Sequence, residues 1–414
     1  MPRPAKSPRE SPARAFERKH AGCWPVGHLA GWRGPSGFSS RSTAREVVLK
    51  SSESLRGRVA VVTGANCGVG FETARALALG GAEAVILACR DPVAGAEAAR
   101  AIRDEARAVS AAASMNDAST PASPDFHEKE KKTSCRVECL NVDLESFASV
   151  RTFADAFRDL NLPLHILVHN AGVMPAPWQE TSDGHERTMQ VNVLGPVLLT
   201  RLLFPFLRGE EKRFADLQET QNANAARVVF VTSAAHYFSY NEGVRLCPKT
   251  DTHVTSCEKH DPIKAYAESK LCLIFLAKLL AKTCEASRRP DQKKILFFAT
   301  NPGAVLSKGG ERARKQCGGA RGAVLHFIGR PFVKSTEAGA ATSALCCVFP
   351  DEEASEKNGA YFANCEARAA SKKAEKDVAA MRAACRFVVK TTSAFPETRN
   401  DAFATQLAEG AYGE

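Results

Sequence analysis

The chain has 414 residues, of which 44% are hydrophobic and 25% charged, the ordinary make-up of a globular protein with a full core. Its fourteen cysteines include no C-x-x-C pair and no Cys/His set at zinc-ligand spacing. That excludes a zinc-type metal site and favours small buried thiols in a reducing, intracellular compartment, cytoplasmic or organellar.

The net charge of +10 is concentrated at the start, where residues 1–50 hold ten Lys and Arg against Glu10, Glu17 and Glu46. Residues 1–54 read as a basic, disordered arm, rich in Pro, Gly, Ser and Arg ("MPRPAKSPRESPAR", "GWRGPSGFSSRSTAR"). No apolar h-region of a secretory signal is present; an organellar transit segment and a nucleic-acid or membrane contact are the competing readings. The nucleic-acid reading lacks interleaved aromatics and a binding fold. On this reading the arm is dispensable for folding. No run of about 18 unbroken apolar residues occurs, so no spanning helix is expected. "LCLIFLAKLLA" (271–281) and "VLLTRLLFPFL" (197–207) come closest, each interrupted by a charge as a buried core helix would be.

From residue 55 short β-branched runs alternate with helical stretches. Strands are expected at 58–64, 83–90, 136–144, 164–172, 227–233 and 294–303. Helices are expected near 69–80, 92–107, 146–159, 184–206, 263–286 and 336–348. The strand runs lack polar alternation, as strands covered on both faces do. The regular β-α rhythm then predicts a doubly wound parallel sheet in a domain spanning 55–390, followed by a C-terminal tail, 391–414. Insertions at 109–134, 208–226 and 241–261 read as surface loops.

"TGANCGVG" (63–70) follows the first strand and opens the first helix. Gly64, Gly68 and Gly70 would allow a tight turn and a close approach to the backbone, where free helix N–H groups favour a pyrophosphate. The second strand ends in Cys89 and Arg90, where an NAD-preferring fold usually carries an acid for the ribose. A guanidinium there would clamp a 2′-phosphate, favouring NADP over NAD; the alternatives are that Arg90 only solvates a loop or that Asp91 takes the ribose. Tyr266 and Lys270 in "AYAESK" lie one helical turn apart on one face. A phenol has a pKa near about 10, and an adjacent ammonium, with a cationic nicotinamide, would bring it toward the working range. Ser233 closes the strand before this helix and could hydrogen-bond a substrate oxygen. "HNAG" (169–172) and Asn192 in "MQVNVLG" complete the constellation.

Taken in order, "TGANCGVG", "ACRD", "NVDL", "HNAG", "VNVLG", "VTSAAH", "YAESK" and "NPGAV" resemble the motifs of the short-chain dehydrogenase/reductase family. The resemblance covers about 55–390, including "GAYFANCEARAASKKA". It is similar above all to the retinol dehydrogenase-like branch, through "ACR", S-x-A-H before the active site and G-x-YF-x-x-C. The resemblance implies a single Rossmann-type doubly wound sheet with helices on both faces, binding NADP(H) in preference to NAD(H). It implies a catalytic tetrad of Asn192, Ser233, Tyr266 and Lys270. Tyr266 would be the acid/base, Lys270 would hold the ribose and depress the phenol's pKa, Ser233 would orient the carbonyl, and Asn192 would place a water.

The same resemblance implies cofactor contacts from Gly64, Asn66, Gly68, Val69 and Gly70, from Arg90, and from Asp143 with Leu144. Further contacts would come from Asn170, Ala171 and Gly172, and from Pro302, Gly303 and Val305, with Ser307 beyond them. No metal is implied. The substrate would be a small lipophilic alcohol, aldehyde or ketone (retinol-, steroid- or fatty-aldehyde-like), its specificity set by 304–335, where a basic stretch precedes an apolar one. His169 stands where an Asn is usual, as a core or loop-stabilising residue. Asn301 stands where His often precedes Pro-Gly. The branch's membrane-anchoring N-terminal helix is replaced by the basic arm. Protochlorophyllide reductase-like chemistry and a non-catalytic NADP-binding sensor or scaffold are the alternatives. Peripheral membrane contact and homo-oligomer formation stay open.

Overall fold

The computed structural model describes residues 33–117, 135–210, 225–241, 243–245, 260–288, 292–305 and 333–393. The first part of the basic arm, most of the three insertions, Ser307 with the basic and apolar stretches after it, and nearly all of the tail lie outside the described residues.

Five runs with every residue buried form strands β1 (Val59–Thr63), β2 (Ala84–Cys89), β4 (Ile166–His169), β5 (Ala226–Val231) and β6 (Ile295–Asn301). Together with β3 (Arg136–Asn141), β7 (Tyr361–Ala363) and β8 (Glu366–Arg368) they make one sheet of order β3-β2-β1-β4-β5-β6-β7-β8. Every neighbouring pair is parallel except β7–β8. This is the expected Rossmann-type sheet. The strand order reverses between β1 and β4, so the loops leaving both strands open onto one crevice at their C-terminal ends.

The helices in chain order are α1 (Ala44–Leu49), α2 (Gly68–Leu79), α3 (Pro92–Asp117), α4 (Phe147–Asp159), α5 (Arg187–Arg208), α6 (Pro262–Ala286), α7 (Thr336–Val348), α8 (Asp351–Glu356), α9 (Lys372–Lys376) and α10 (Val378–Thr392). One face of the sheet packs Phe153 and Phe157 of α4, Leu198 of α5, Phe275 of α6 and Val388 of α10. The other packs Val48 of α1, Leu77 of α2, Ile102 of α3 and Ala341 of α7. Helix α5 is long and apolar enough to cross a membrane, yet most of it is buried in the protein, as expected of a core helix. All ten cysteines among the described residues are free thiols, and eight of them are buried.

Two expectations are corrected. The arm does not stay unfolded to residue 54. Thr43 caps α1 by accepting from the Glu46 N–H at 3.1 Å, and Phe38, Ala44, Val47 and Val48 are buried. Val48 fills the space a side chain on Gly80 would need, with its Cγ1 2.0 Å from where that Cβ would lie. A six-residue helix is too short for its periodicity to stand out from a polar, Gly-rich context. Second, α3 runs to Asp117, through the start of the first insertion. The β7–β8 hairpin and α8 to α10 fill the C-terminal part of the expected domain, α10 ending at Thr392. Buried Arg201 of α5 ties α10 down by donating to the Thr392 hydroxyl at 2.7 Å.

Candidate active site

The loop after β1 meets the loop after β4 at the strand-order reversal. Gly64 takes φ 65°, and its N–H donates to the Ala88 carbonyl at 2.8 Å. A Cβ on Gly64 would stand 2.9 Å from Ala171 Cα, so only glycine serves there. Gly70, in the first turn of α2, is equally confined: its Cβ would lie 2.3 Å from both the Gly64 carbonyl and Asn170 Nδ2. Asn170 donates through Nδ2 to the carbonyls of Thr63 (3.1 Å) and Gly64 (3.2 Å). Its expected support of the cofactor is therefore indirect, through the glycine loop. Asn66 sits in the turn and Gly68 starts α2, so the helix presents its first N–H groups beside this loop. Gly70→Ala should shift the loop, costing about 1–3 kcal/mol of stability and weakening nucleotide binding. A melting curve and a nucleotide titration check both, and an unchanged protein would contradict this packing.

The next group gathers at the ends of β4 and β5. Gln190–Leu194 is a π-turn within α5, a distortion often found at functional sites, and it carries Asn192. Asn192 Oδ1 accepts from the Val173 N–H at 2.8 Å, while Nδ2 donates to the Val173 carbonyl (3.2 Å) and to Ser269 Oγ (3.0 Å). Ser269 in turn donates to the Tyr266 carbonyl at 2.7 Å. A Cβ on Gly172 would lie 3.1 Å from Asn192 Oδ1 and 3.3 Å from Lys270 Nζ, so these groups share one small space. Buried Lys270 donates to the Val231 carbonyl at 2.9 Å, and its Nζ lies 5.6 Å from the centre of the Tyr266 ring. Ser233 caps a 3-10 turn, Ala234–Phe238, by accepting from the Ala235 N–H at 3.1 Å.

The electrostatics depart from expectation. Burial raises the Tyr266 phenol above its ordinary value, with the Ser233 hydroxyl's hydrogen bond pulling it down. Burial lowers Lys270 to about 8. The expected depression of the phenol by Lys270 is not what the protein alone produces: burial is the larger effect, and the Ser233 hydroxyl is what offsets it. His169 faces the core. It stacks on Phe230 at 5.2 Å and donates from Nε2 to Thr200 Oγ1 at 2.7 Å, and burial holds it near about 3, hence neutral.

A retinol dehydrogenase 12 from Homo sapiens is 32% identical over 336 residues, covering 81% of this chain and 86% of that relative. The chain belongs to the short-chain dehydrogenase family. The family model described as short chain dehydrogenase matches residues 121–244. A WW domain-containing oxidoreductase from Gallus gallus is 34% identical over 330 residues, 79% of this chain and 66% of the relative, so the chain spans about two thirds of that protein's length. A crystal structure of an uncharacterised protein from Mycobacterium Paratuberculosis matches the fold with TM-score 0.54 at 24% identity, covering 83% of this chain and 97% of that one. The retinol dehydrogenase-like branch is the one the sequence motifs singled out.

At the far end of this short-chain dehydrogenase's crevice, Arg90 leaves β2 and its Nη1 donates to Glu145 Oε1 at 3.1 Å, with 62% of its side chain exposed. Asp91 is occupied as a helix cap, accepting from the Val93 (3.0 Å) and Ala94 (3.1 Å) N–H groups. Asp143 Oδ1 accepts from the Glu145 N–H at 2.9 Å, and Leu144 is buried. Beyond β6, Asn301 Oδ1 accepts from the Gly303 N–H at 2.9 Å, which turns the chain at Pro302. Val305 and Val69 both pack against Gly339 of α7, their methyls 2.6 and 3.2 Å from where a Cβ there would lie.

Four supporting residues escaped the sequence reading. Thr63 Oγ1 accepts from the N–H groups of both Asn170 and Ala171 at 3.0 Å, fixing the second loop to the first. Ser269 bridges Asn192 to the α6 backbone. His236 accepts from the Ser371 N–H at Nε2 (3.1 Å), so its Nδ1–H donates to the Ser233 carbonyl (2.7 Å). Glu145 holds Arg90. Thr63, Ser269 and His236 lie inside "TGANCGVG", "YAESK" and S-x-A-H, but as supporting positions whose partners lie far away in sequence; Glu145 lies in none of these motifs.

Proposed function

We propose that this short-chain dehydrogenase is an NADP(H)-dependent oxidoreductase that interconverts a lipophilic alcohol with its aldehyde or ketone. The observation that carries the reading is the convergence of Tyr266, Ser233, Lys270 and Asn192 beside a glycine cradle that side chains would fill. The cradle fits a dinucleotide: Gly64, Asn66, Gly68, Val69 and Gly70 would face the pyrophosphate, and Asp143 with Leu144 the adenine. Ala171, Gly172, Pro302, Gly303 and Val305 would enclose the nicotinamide half, and Lys270 would reach its ribose. When bound, the cofactor supplies or accepts the hydride. Tyr266 gives its phenolic proton to the carbonyl oxygen in reduction and takes it back in oxidation. Ser233 donates to the same oxygen and orients it, Lys270 together with the oxidised nicotinamide would favour the phenolate, and Asn192 would place the water through which the proton is replaced.

Exposed apolar side chains at Met174 (39%), Tyr237 (53%), Phe238 (70%) and Ile263 (58%) support a lipophilic substrate, since they lie in the segments flanking Gly172, Ser233 and Tyr266. A panel of lipophilic alcohols and aldehydes, assayed with NADP(H) and NAD(H) at the nicotinamide absorbance, tests the reading. Turnover is expected with NADP(H). A panel that neither turns over nor binds NADPH would overturn it.

Arg90 carries the preference for NADP(H) in this reading. A charge-assisted pair with the 2′-phosphate is worth about 1.5–3 kcal/mol, roughly ten- to a hundred-fold in affinity. Arg90→Ala should weaken NADPH by that factor and leave NADH nearly untouched. Equal weakening of both nucleotides would make Arg90 a structural residue only.

A further inference from the structure

Arg90 has a rival for the phosphate's attention. Its guanidinium meets Glu145 through one nitrogen, at 3.1 Å, in a mostly exposed pair. The same carboxylate oxygen accepts two shorter bonds from Arg187, from Nε at 2.8 Å and Nη2 at 2.6 Å. Glu145 is thus held chiefly by Arg187, which with burial's opposing effect and Arg90's weaker pull keeps its carboxyl below the usual range and ionised at neutral pH. Withdrawing Arg90 would leave Glu145 doubly hydrogen-bonded, whereas Arg90 has free N–H groups for a better anion.

We infer that Glu145 tempers the preference for NADP(H) by competing with the cofactor's 2′-phosphate for Arg90. The inference rests on the NADP(H) reading above. Three features decide for competition over support. The Arg90–Glu145 contact is single, where a phosphate would be gripped by two N–H groups. It is exposed, and such pairs contribute little. The carboxylate is also a fixed negative charge beside the point where a phosphate carrying up to two more would arrive, so it repels the ligand as well as engaging its clamp. Arg187 makes the exchange cheap, because it keeps the displaced carboxylate satisfied. An NADP(H) bound this way is held less tightly than the clamp alone would allow, and NAD(H) is disadvantaged less.

The test is a titration of the full chain with NADPH and with NADH, followed by the fluorescence of the reduced nicotinamide. Glu145→Gln should tighten NADPH by about three- to ten-fold and leave NADH within about two-fold. Glu145→Asp, which keeps the charge but shortens the reach, should tighten NADPH less, and it serves if Glu145→Gln folds poorly. Weaker NADPH binding by Glu145→Gln, with NADH unchanged, would mean that Glu145 props Arg90 in place, and would overturn the inference. Equal shifts for both nucleotides would overturn it too. Wild-type protein that binds no NADPH, or whose Arg90→Ala variant binds NADPH normally, would remove the reading beneath it and the inference together.

Discussion

Tyr266→Phe should cut turnover by at least about 10²–10⁴-fold, the usual contribution of general acid–base catalysis, while NADPH binding survives. The substitution removes the transferable proton and keeps the ring, which lies beside Lys270. Lys270→Ala should be nearly as damaging and should also weaken the nucleotide, since one ammonium would serve both phenol and ribose. Asn192 and Ser233 replacements should cost less, because each positions rather than carries the proton. The pH dependence follows from the directions of the shifts. Burial raises the phenol, so the acid form dominates through neutral pH and carbonyl reduction should stay flat there. Alcohol oxidation needs the phenolate and should climb with pH. Lys270 keeps its charge at neutral pH and loses it as the pH rises through about 8, which should bend that climb. A folded Tyr266→Phe protein that binds NADPH and turns over at near wild-type rate would sink the acid/base assignment.

A protein starting at Ser51 should melt well below one starting at Arg33. The segment between them buries Phe38, Val47 and Val48 and donates from the Ser36 N–H to Glu366 Oε1 at 2.8 Å. Burying such side chains gains about 1.5–3 kcal/mol each, against the entropy of ordering the segment. A net loss of about 2–4 kcal/mol is expected, lowering the melting temperature by roughly 5–10 °C. Val48→Asp in the full chain is the companion variant, because it puts a charge against Gly80 without shortening the protein. Coincident melting curves for the two truncations would show that α1 adds nothing to the fold.

Much of the fold was legible because parallel strands covered on both faces need continuous apolar runs, and "VAVVT", "AVILAC", "ILVH", "ARVVFV" and "ILFFATN" are such runs. Strands β7 and β8 were not legible: three residues each at the end of the sheet, with only Tyr361 and Phe362 buried. Helix α1 was hidden for a related reason. Its burial comes from α2 and α7, not from a pattern of its own.

The sequence by itself determined the order of strands and helices, the glycines after β1, the Tyr266–Lys270 spacing on one helix face, and the Arg at the end of β2. Each depends on neighbours within a few residues, where periodicity and backbone sterics act. Only the tertiary structure decided where the charges point. It turned Lys270 to the Val231 carbonyl, set Asn192 on a π-turn against Ser269, put His169 into the core, and placed Glu145 between Arg90 and Arg187. These outcomes depend on desolvation and on hydrogen bonds between residues far apart in sequence, most of them tens of positions away, which no local pattern encodes.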